Sequence, residues 1–296
     1  MVEATSKPAR RKCALSIAIP ASIVSDVPHL REKTAKIGLL ARGAAIFRVE
    51  EIVVYLDYGA KDCKEAQKLV CKILEYVSSP QYLRKHLFRK EPELRFAGIL
   101  PPLRTPDHPL AVRMSGLRAG EYREGIVLTS DREGSLVDIG VEHPLRVMRS
   151  LRKGTRITTS ITDPARGIGD VVDRDKLGTY WGFRVSAFES SLGNLLSSKR
   201  YGAAIATSKH GKNVVEIWET LSQLFACSKN ALLIFGSPNE GVASILAREN
   251  VNLEGAVDVV VNTVPLQGTA TIRTEEAVIA SLAVFNVMME GMKLGS

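Results

Sequence analysis

The spacing of apolar residues changes twice along this chain, and the first region has an α/β pattern. The apolar run at 14–19 predicts a strand. The run at 51–56 is continuous enough in valine and isoleucine to be a strand buried on both faces. The segments 29–46 and 63–77 place apolar residues three or four apart, which is typical of helices packed along one side. The region is therefore predicted to alternate strands with helices.

A proline-rich stretch at 98–112 marks the first change, as expected for a linker or a domain edge. Short strand-like segments with turn residues between them follow it: 125–128, 135–139, 145–148, 156–161, 169–172 and 181–187. Six short strands at such close spacing predict a small β-barrel of the OB type.

The α/β pattern returns after about residue 190. Apolar runs at 203–207, 231–235 and 256–261 predict three strands, each followed by a loop and then by a helical pattern. The sequence thus predicts one α/β domain built from residues 1–105 and 178–296. The segment 106–177 is predicted to be an OB-like barrel inserted into that domain.

Loops follow these three strands at 207–211, 235–241 and 262–274. Because the carboxyl ends of parallel strands meet at one edge of a sheet, the loops are expected to converge there. The second loop has the GxxxxG spacing of a phosphate-binding loop, but Val242 stands where the phosphate-contacting lysine must be. Small residues and little charge suit an adenine ring and a compact zwitterion better than a polyphosphate. Taken alone, the second loop is equally compatible with a helix-opening turn that binds nothing.

Composition sets limits on the class of protein. The 296 residues are 45% apolar, as in globular chains, and no apolar run approaches the ~20 residues that span a bilayer. The charged N-terminal stretch lacks the apolar core of a secretory signal. Four scattered cysteines without CxxC spacing argue against a zinc site and predict reduced thiols and a cytoplasmic location. No metal is expected.

The net charge of +8 and the pI of about 9.3 favour a polyanionic partner, nucleic acid first. Basic residues cluster at 7–12, 84–90 and 146–156, and the last cluster contains no acid. On the edge of a barrel it would suit an RNA backbone. The whole segment 106–177 is nearly neutral, however, so an ordinary solvated face remains the alternative.

Several segments together resemble the SPOUT-class RNA methyltransferases, in the archaeal and eukaryotic branch that has an OB-like domain inserted in the catalytic domain. The segments that carry the resemblance are 45–54, 80–85, 95–98, 123–127, 180–182, 267–268 and 272–277. The Arg-Thr-Glu run at 273–275 is also similar to that of bacterial enzymes that methylate uridine N3 in small-subunit rRNA. The resemblance implies a trefoil knot that binds S-adenosylmethionine at a homodimer interface.

The resemblance also implies a set of cofactor-binding residues from the three loops: Thr207, Ser208, Gly211, Phe235, Gly236, Gly241, Asn262, Val264, Pro265, Gln267, Gly268 and Ile272. Backbone groups at 264–267 would cradle the adenine, and Gly268 would allow its close approach. Thr274 would help to cap the last helix, with Glu275 and Glu276 favourable in its first turn.

Methylation of uridine N3 requires loss of the N3 proton, and a nearby cation would stabilise the resulting anion. Arg273 is the first candidate for that role, although it could equally pair with a phosphate or a carboxylate. Glu240 and His210 are weaker candidates for a base. The basic residues expected to contact RNA are Arg42, Arg48, Arg84, Lys85, Arg146, Arg149, Arg152, Lys153 and Arg156.

The sequence therefore predicts an S-adenosylmethionine-dependent RNA methyltransferase acting on ribosomal RNA, at uridine N3. A non-catalytic RNA-binding or assembly protein that keeps the fold is the main alternative. A nucleotide hydrolase is disfavoured by the missing lysine. The last helix, 275–287, has a small, apolar face that would serve a homodimer, or would simply pack within one subunit.

Overall fold

The computed structural model describes residues 7–58 and 63–291, and these residues form two compact units. The α/β unit holds residues 11–58, 63–77, 93–102 and 183–291. The barrel unit holds residues 7–10, 78–92 and 103–182. The predicted insertion, 106–177, lies within the barrel unit. The two ends of the predicted α/β domain, 1–6 and 292–296, lie outside the described residues.

The strands, in chain order, are β1 (Ala14–Pro20), β2 (Glu51–Leu56), β3 (Tyr122–Ser130), β4 (Ser135–Asp138), β5 (Leu145–Val147), β6 (Arg156–Asp163), β7 (Ile168–Val172), β8 (Arg184–Ser191), β9 (Ala203–Asn213), β10 (Asn230–Ile234) and β11 (Val259–Asn262). The α-helices are α1 (Leu30–Ile46), α2 (Cys63–Ser78), α3 (Gln81–Leu87), α4 (Leu192–Ser197), α5 (Trp218–Cys227), α6 (Val242–Arg248), α7 (Leu253–Ala256) and α8 (Thr274–Gly291).

The α/β unit is built on a sheet of six described strands in the order β11-β9-β10-β1-β2-β8, and every neighbouring pair is parallel. The central strands β1, β2 and β10 are buried almost throughout, as expected for a parallel sheet covered on both faces. The predicted α/β arrangement is confirmed. The order also places β9, β10 and β11, which the three loops follow, side by side.

Helix α8 packs against α1 within the chain. Val278, Leu282 and Phe285 are fully buried, and the ring of Phe285 meets that of Phe225 on α5 edge to face at 5.4 Å. One part of the predicted dimer face, Leu282, is therefore a core residue. Val287 on the same helix stays 64% exposed.

The barrel unit contains a closed barrel of five described strands in the order β3-β4-β5-β7-β6. It has its own apolar core, formed by Leu117, Val127, Val137, Ile139, Leu145, Val147 and Ile161. The predicted barrel is confirmed, but the sixth predicted barrel strand, 181–187, is wrong. That apolar run crosses the boundary between the units, and its second half is the start of β8, which pairs with β2 in the sheet.

The barrel unit also includes the segment 78–92, which the sequence placed in the α/β domain. Specific polar contacts explain this grouping. The Tyr82 hydroxyl donates to the Glu124 carbonyl over 2.8 Å, and the Arg156 guanidinium donates to Ser79 Oγ over 3.3 Å. Helix α3 therefore packs with the barrel it precedes.

Strand β9 is longer than predicted and continues to Asn213, and the helix after it begins at Trp218. Ala206 pairs with Val260, while Lys212 pairs with the next residue of β11, Val261. Residues 207–211 therefore bulge out of the ladder between two paired positions. The predicted loop is present as this excursion within the strand.

Candidate functional site

A pocket of about 380 Å³ lies at the carboxyl edge of β9, β10 and β11. All three predicted loops line it, together with the first two turns of α8. Of the predicted cofactor-binding residues, the structure places these in the lining: Thr207, Ser208, Phe235, Gly236, Gly241, Asn262, Val264, Gln267 and Ile272. Glu240 also lines the pocket. The lining does not include four other predicted site residues, each of which directly follows a lining residue in sequence: Gly211, Pro265, Gly268 and Arg273.

The first loop is held by contacts to the neighbouring strands. The Thr207 hydroxyl donates to the Ile234 carbonyl of β10 over 2.9 Å. A Cβ on Gly211 would lie 2.7 Å from backbone atoms of Val261, closer than real Cβ contacts allow. Gly211 therefore lets β9 approach β11 and does not itself face the pocket.

The second loop closes on itself. The Ser237 amide donates to the Glu240 carbonyl over 2.8 Å, and the Glu240 amide donates to Ser237 Oγ over 3.0 Å. A Cβ on Gly236 would lie 2.5 Å from that same carbonyl oxygen, so glycine is required for the closure. The Tyr55 hydroxyl donates to the Phe235 carbonyl over 2.8 Å, which anchors the entry to the loop.

The carboxylate of Glu240 is already paired. Arg248 on α6 contacts it through both terminal nitrogens, at 3.1 Å to Oε1 and 2.8 Å to Oε2. The same guanidinium donates to the Asp57 carbonyl over 3.1 Å. Glu240, one of the predicted candidates for a base, is therefore held in an ion pair with Arg248.

The third loop is organised by the side chains of its predicted residues. Asn262 accepts from the Val264 amide over 3.0 Å and donates to the Lys209 carbonyl over 3.0 Å, so it joins the first and third loops. Gln267 donates to the Thr269 carbonyl over 2.8 Å. Leu266 has a positive φ of 55° and is fully exposed. The third loop thus has internal support while its tip faces solvent.

The start of α8 differs from the prediction. The Arg273 amide donates to Glu276 Oε2 over 2.9 Å, and the Arg273 carbonyl accepts from the Ala277 amide, so Arg273 is the N-cap and the Glu276 side chain satisfies its amide. The Thr274 hydroxyl instead donates to the Gly236 carbonyl over 3.1 Å. Thr274 therefore links α8 to the second loop, and its predicted capping role is wrong.

Arg273 itself is exposed, and its guanidinium makes no hydrogen bond or ion pair with residues 7–58 or 63–291. Its predicted pairing with a carboxylate of this chain is thus not seen among the described residues. Arg273 directly follows the lining residue Ile272 in sequence, and its guanidinium is free among the described residues.

Sequence reasoning missed two sets of buried polar groups near the pocket. The hydroxyls of Thr263 and Ser281 lie 2.7 Å apart, and both residues line it. A lone polar residue in the apolar pattern of α8 was the available signal for Ser281. Glu275 is buried next to Lys36 of α1, whose ammonium also contacts Asp26. Nothing in the local sequence pattern connects α1 with Glu275.

The pocket carries little charge for its size. Its ionisable lining residues are Lys209, His210 and the paired Glu240, and the remainder are small, polar or apolar residues. Such a lining fits an aromatic ring and a compact zwitterion and offers little to neutralise a polyphosphate. Among residues 7–58 and 63–291, no three His, Cys, Asp or Glu side chains are grouped to hold a metal ion.

Most of the predicted RNA-binding residues have partners within the chain. Each of these guanidinium or ammonium groups contacts a nearby oxygen: Arg42 to Pro102, Arg48 to Glu290, Arg84 to Ser79, Lys85 to Asp138, Arg146 to Asp131 and Arg156 to Glu124. Arg149, Arg152 and Lys153 are exposed, and their side chains have no hydrogen bond or ion pair in the described part of the chain. The free basic surface is therefore smaller than the sequence suggested.

In the described ranges, no helix combines the length and the apolar character needed to cross a membrane.

Comparison with known proteins now adds to this geometry. The model of a family described as "Putative RNA methyltransferase" matches residues 14–285. The chain is similar to the 28S rRNA (uridine-N(3))-methyltransferase of Homo sapiens, with 34% identity over 304 residues that cover 92% of this chain and 78% of that protein. It is also similar to an uncharacterized protein of Halobacterium salinarum, with 32% identity covering 90% of this chain and 96% of the relative.

Among solved structures, the SpoU methyltransferase AviRb from Streptomyces viridochromogenes superimposes with a TM-score of 0.38 at 10% identity, covering 97% of this chain and 63% of that chain. A TM-score this low supports no conclusion about fold or function.

Proposed function

This chain belongs to the RNA methyltransferase family whose model spans residues 14–285, and we propose that it methylates ribosomal RNA at uridine N3 with S-adenosylmethionine as methyl donor. The observation that carries the proposal is the convergence of three loops from adjacent parallel strands on one weakly charged pocket. The activity named for the human relative supports the choice of uridine N3. The predicted knot stays a prediction.

When bound, S-adenosylmethionine supplies an electrophilic methyl group. The residues that would hold it are those of the three loops, with backbone groups at 264–267 against the adenine. Asn262 would keep the first and third loops in register, since it bonds to both. Gly268 would admit the ligand closely, because no described residue beyond its chain neighbours lies within 4 Å of the position a Cβ would take there.

Transfer of a methyl group in line depends mainly on how the two reactants are positioned. At uridine N3 the proton must also leave, and the unpaired guanidinium of Arg273 would stabilise the resulting anion. The N-cap position fixes its backbone while leaving its guanidinium free. Glu240 is the weaker candidate for the base because Arg248 already binds its carboxylate. His210 lines the pocket and is a second candidate.

The RNA backbone would contact the exposed cations Arg149, Arg152 and Lys153 of the barrel unit, which have no partners among the described residues. Phosphate contacts of this kind position an RNA without reading its sequence. The chain is further proposed to act in the cytoplasm, as its cysteine usage suggests.

A homodimer is part of the proposal. Exposed apolar side chains of the α/β unit that support it are Leu39 and Ile46 on α1, Val287 on α8, Trp218 on α5 and Leu266 in the third loop. Light scattering of the purified chain tests this: a single species of twice the chain mass is expected, and a monomer at tens of micromolar would remove the dimer from the proposal.

Calorimetry with S-adenosylmethionine tests the proposed cofactor. Binding with a dissociation constant in the micromolar range is expected, and no heat at high micromolar ligand would contradict it. Phosphate release from ATP or GTP would instead favour a nucleotide hydrolase. Mass spectrometry of rRNA from cells with and without the protein then identifies the methylated nucleotide. Cofactor binding without any rRNA change would favour the non-catalytic assembly role.

A further inference from the structure

A second pocket, of about 520 Å³, lies wholly within the barrel unit. Tyr122 at the start of β3 lines one part of it, and Val171 and Val172 at the end of β7 line another. Arg149 and Lys176 supply its positive charge. An aromatic ring with aliphatic neighbours and cations within one pocket is the combination by which single-stranded nucleic acid is bound.

A buried tryptophan holds the aromatic residue of this pocket in place. The ring of Tyr122 meets Trp181 edge to face, with centroids 6.1 Å apart and planes at 86°. Trp181 is itself buried, and its indole N–H donates to the buried Glu124 carboxylate over 2.7 Å. A ring fixed in this way loses little conformational freedom when a base stacks on it.

The two cations of the pocket are available for a ligand. Arg149 and Lys176 are exposed, and neither side chain has an ion pair or hydrogen bond within residues 7–58 and 63–291. Their backbones are nonetheless fixed. The Arg149 carbonyl accepts from Ser135 Oγ over 2.7 Å, and the Lys176 amide donates to the Asp173 carbonyl over 3.1 Å.

Asp173 adds one negative charge to the lining, and one of its carboxylate oxygens accepts from the Asp175 amide over 2.9 Å. Arg149, Lys176 and Asp173 together leave a net charge of one positive unit. This balance suits a single phosphodiester and is poor for a nucleoside di- or triphosphate.

We propose that this pocket binds one nucleotide of a single-stranded RNA segment, with its base stacked on Tyr122 and its phosphate between Arg149 and Lys176. The proposal rests on the proposed RNA methyltransferase function and names where the substrate contacts the barrel. Tyr122 and Lys176 lie outside the basic strip at 146–156, so the contact surface turns from that strip toward the end of β7.

Fluorescence anisotropy with a labelled ten-nucleotide oligouridylate tests the proposal on the full chain. Tyr122→Leu should weaken binding about 5-fold or more, since stacking of one base is lost. Tyr122→Phe keeps the ring and should bind like the unaltered chain. Tyr58→Leu is the matched control, because Tyr58 is an exposed tyrosine of the other unit.

The double variant Arg149→Gln, Lys176→Gln should lower the slope of log affinity against log salt by about 0.7, because one phosphate contact is lost. Replacing Arg132, another exposed cation of the barrel unit, with Gln shows how far the loss of a positive charge elsewhere in that unit changes the slope. If Tyr122→Leu and the double variant bind no worse than these controls, or if a duplex of the same length binds as well as the single strand, the pocket proposal is overturned.

Calorimetry with S-adenosylmethionine and methyl transfer to rRNA separate this outcome from a failure of the proposed function. An unaltered chain that binds cofactor and methylates rRNA while all variants bind the oligonucleotide equally would remove the pocket alone. An unaltered chain that binds neither cofactor nor RNA would remove both proposals.

Discussion

Lys36 Nζ lies 3.2 Å from Glu275 Oε2, and both side chains are almost completely buried, with 5% and 6% exposure. The same ammonium contacts Asp26 Oδ1 at 2.7 Å. Oε2 of Glu275 makes an ion contact here but no hydrogen bond with any described residue. Since Glu275 is the second residue of α8, this pair fixes the helix start that follows the third loop onto α1.

Removing the cation of this pair should destabilise the protein. Lys36→Met leaves Glu275 charged and buried, and breaking a buried pair by loss of one partner costs about 3–5 kcal/mol. The double variant Lys36→Met, Glu275→Leu removes both charges and should recover most of that loss. Guanidinium unfolding of the single and double variants measures both effects. A cost below about 1 kcal/mol for Lys36→Met would mean that water reaches the pair.

Two glycines of the site should respond differently to alanine. A Cβ at Gly211 would lie 2.7 Å from the Val261 backbone, so Gly211→Ala should cost about 1–3 kcal/mol in unfolding free energy through overpacking. At Gly268 no described residue beyond its chain neighbours lies within 4 Å of the added atom, so Gly268→Ala should leave stability unchanged or raise it by up to about 1 kcal/mol.

Measuring cofactor binding tests separately whether the ligand contacts Gly268. If the adenine approaches this residue closely, Gly268→Ala should weaken S-adenosylmethionine binding while thermal unfolding is unaffected. Equal affinity of the alanine variant and the unaltered chain in calorimetry would show that the ligand does not contact Gly268.

Arg273 and Glu240 should differ in their effect on methyl transfer. Arg273→Gln removes the cation proposed to stabilise the anion, and the single-turnover rate should fall about 100-fold with cofactor affinity unchanged. Glu240→Gln removes the carboxylate charge and can keep one of the two contacts with Arg248, and it should lower the rate less than about 10-fold. Arg31→Gln, another exposed arginine of the α/β unit, is the control for charge. The opposite ranking of the two variants would assign the proton-abstracting role to Glu240.

Within the barrel, Arg156 and Lys153 should separate stability from RNA binding. Arg156 Nε contacts the buried Glu124 carboxylate at 2.7 Å, so Arg156→Gln should lower stability by about 1–3 kcal/mol. Lys153 is exposed and has no partner among the described residues, so Lys153→Gln should change stability by less than about 0.5 kcal/mol and weaken RNA binding. Thermal unfolding and anisotropy distinguish the two outcomes, and an unstable Lys153→Gln variant would contradict them.

The buried thiols should be unreactive near neutral pH. Burial raises the pKa of Cys71 to about 12 and that of Cys13 to about 11, while Cys227 is exposed. Iodoacetamide at pH 8 should therefore label Cys227 first, as read by mass spectrometry, because the thiolate is the reactive species. Early labelling of Cys71 would indicate local opening of α2.

The raised pKa values of the buried thiols also predict how stability changes in alkaline solution. A thiol whose pKa is raised on folding contributes stability that is fully present below its unfolded pKa near 9 and is lost as pH rises toward 12. Unfolding free energy should accordingly fall between pH 9 and pH 12. Cys71→Ala should make this fall shallower, and an unchanged slope would remove Cys71 as a contributor.

The local apolar pattern of the sequence was sufficient to predict the bounds of elements that are regularly buried. The strands β1, β2 and β10 and the helices α1 and α2 lie within a residue or two of their predicted bounds, because apolar spacing directly reflects burial. Apolar runs also showed where three strands end. Because the carboxyl ends of parallel strands meet at one edge of a sheet, the convergence of the three loops could be predicted. The family resemblance assigned roles to Gln267 and Arg273, which apolar spacing alone does not assign.

Contacts between residues far apart in sequence were decided by the tertiary structure alone. Pairing across the sheet turned a predicted loop at 207–211 into a bulge of β9, and drew 184–187 into β8 instead of the barrel. It also paired Glu240 with Arg248 and buried Glu275 against Lys36. The sequence by itself determined which segments form strands, helices and loops, because burial sets local periodicity. The fold decided which charges are neutralised and which remain free, because ion pairing depends on distances that exist only after the chain has packed.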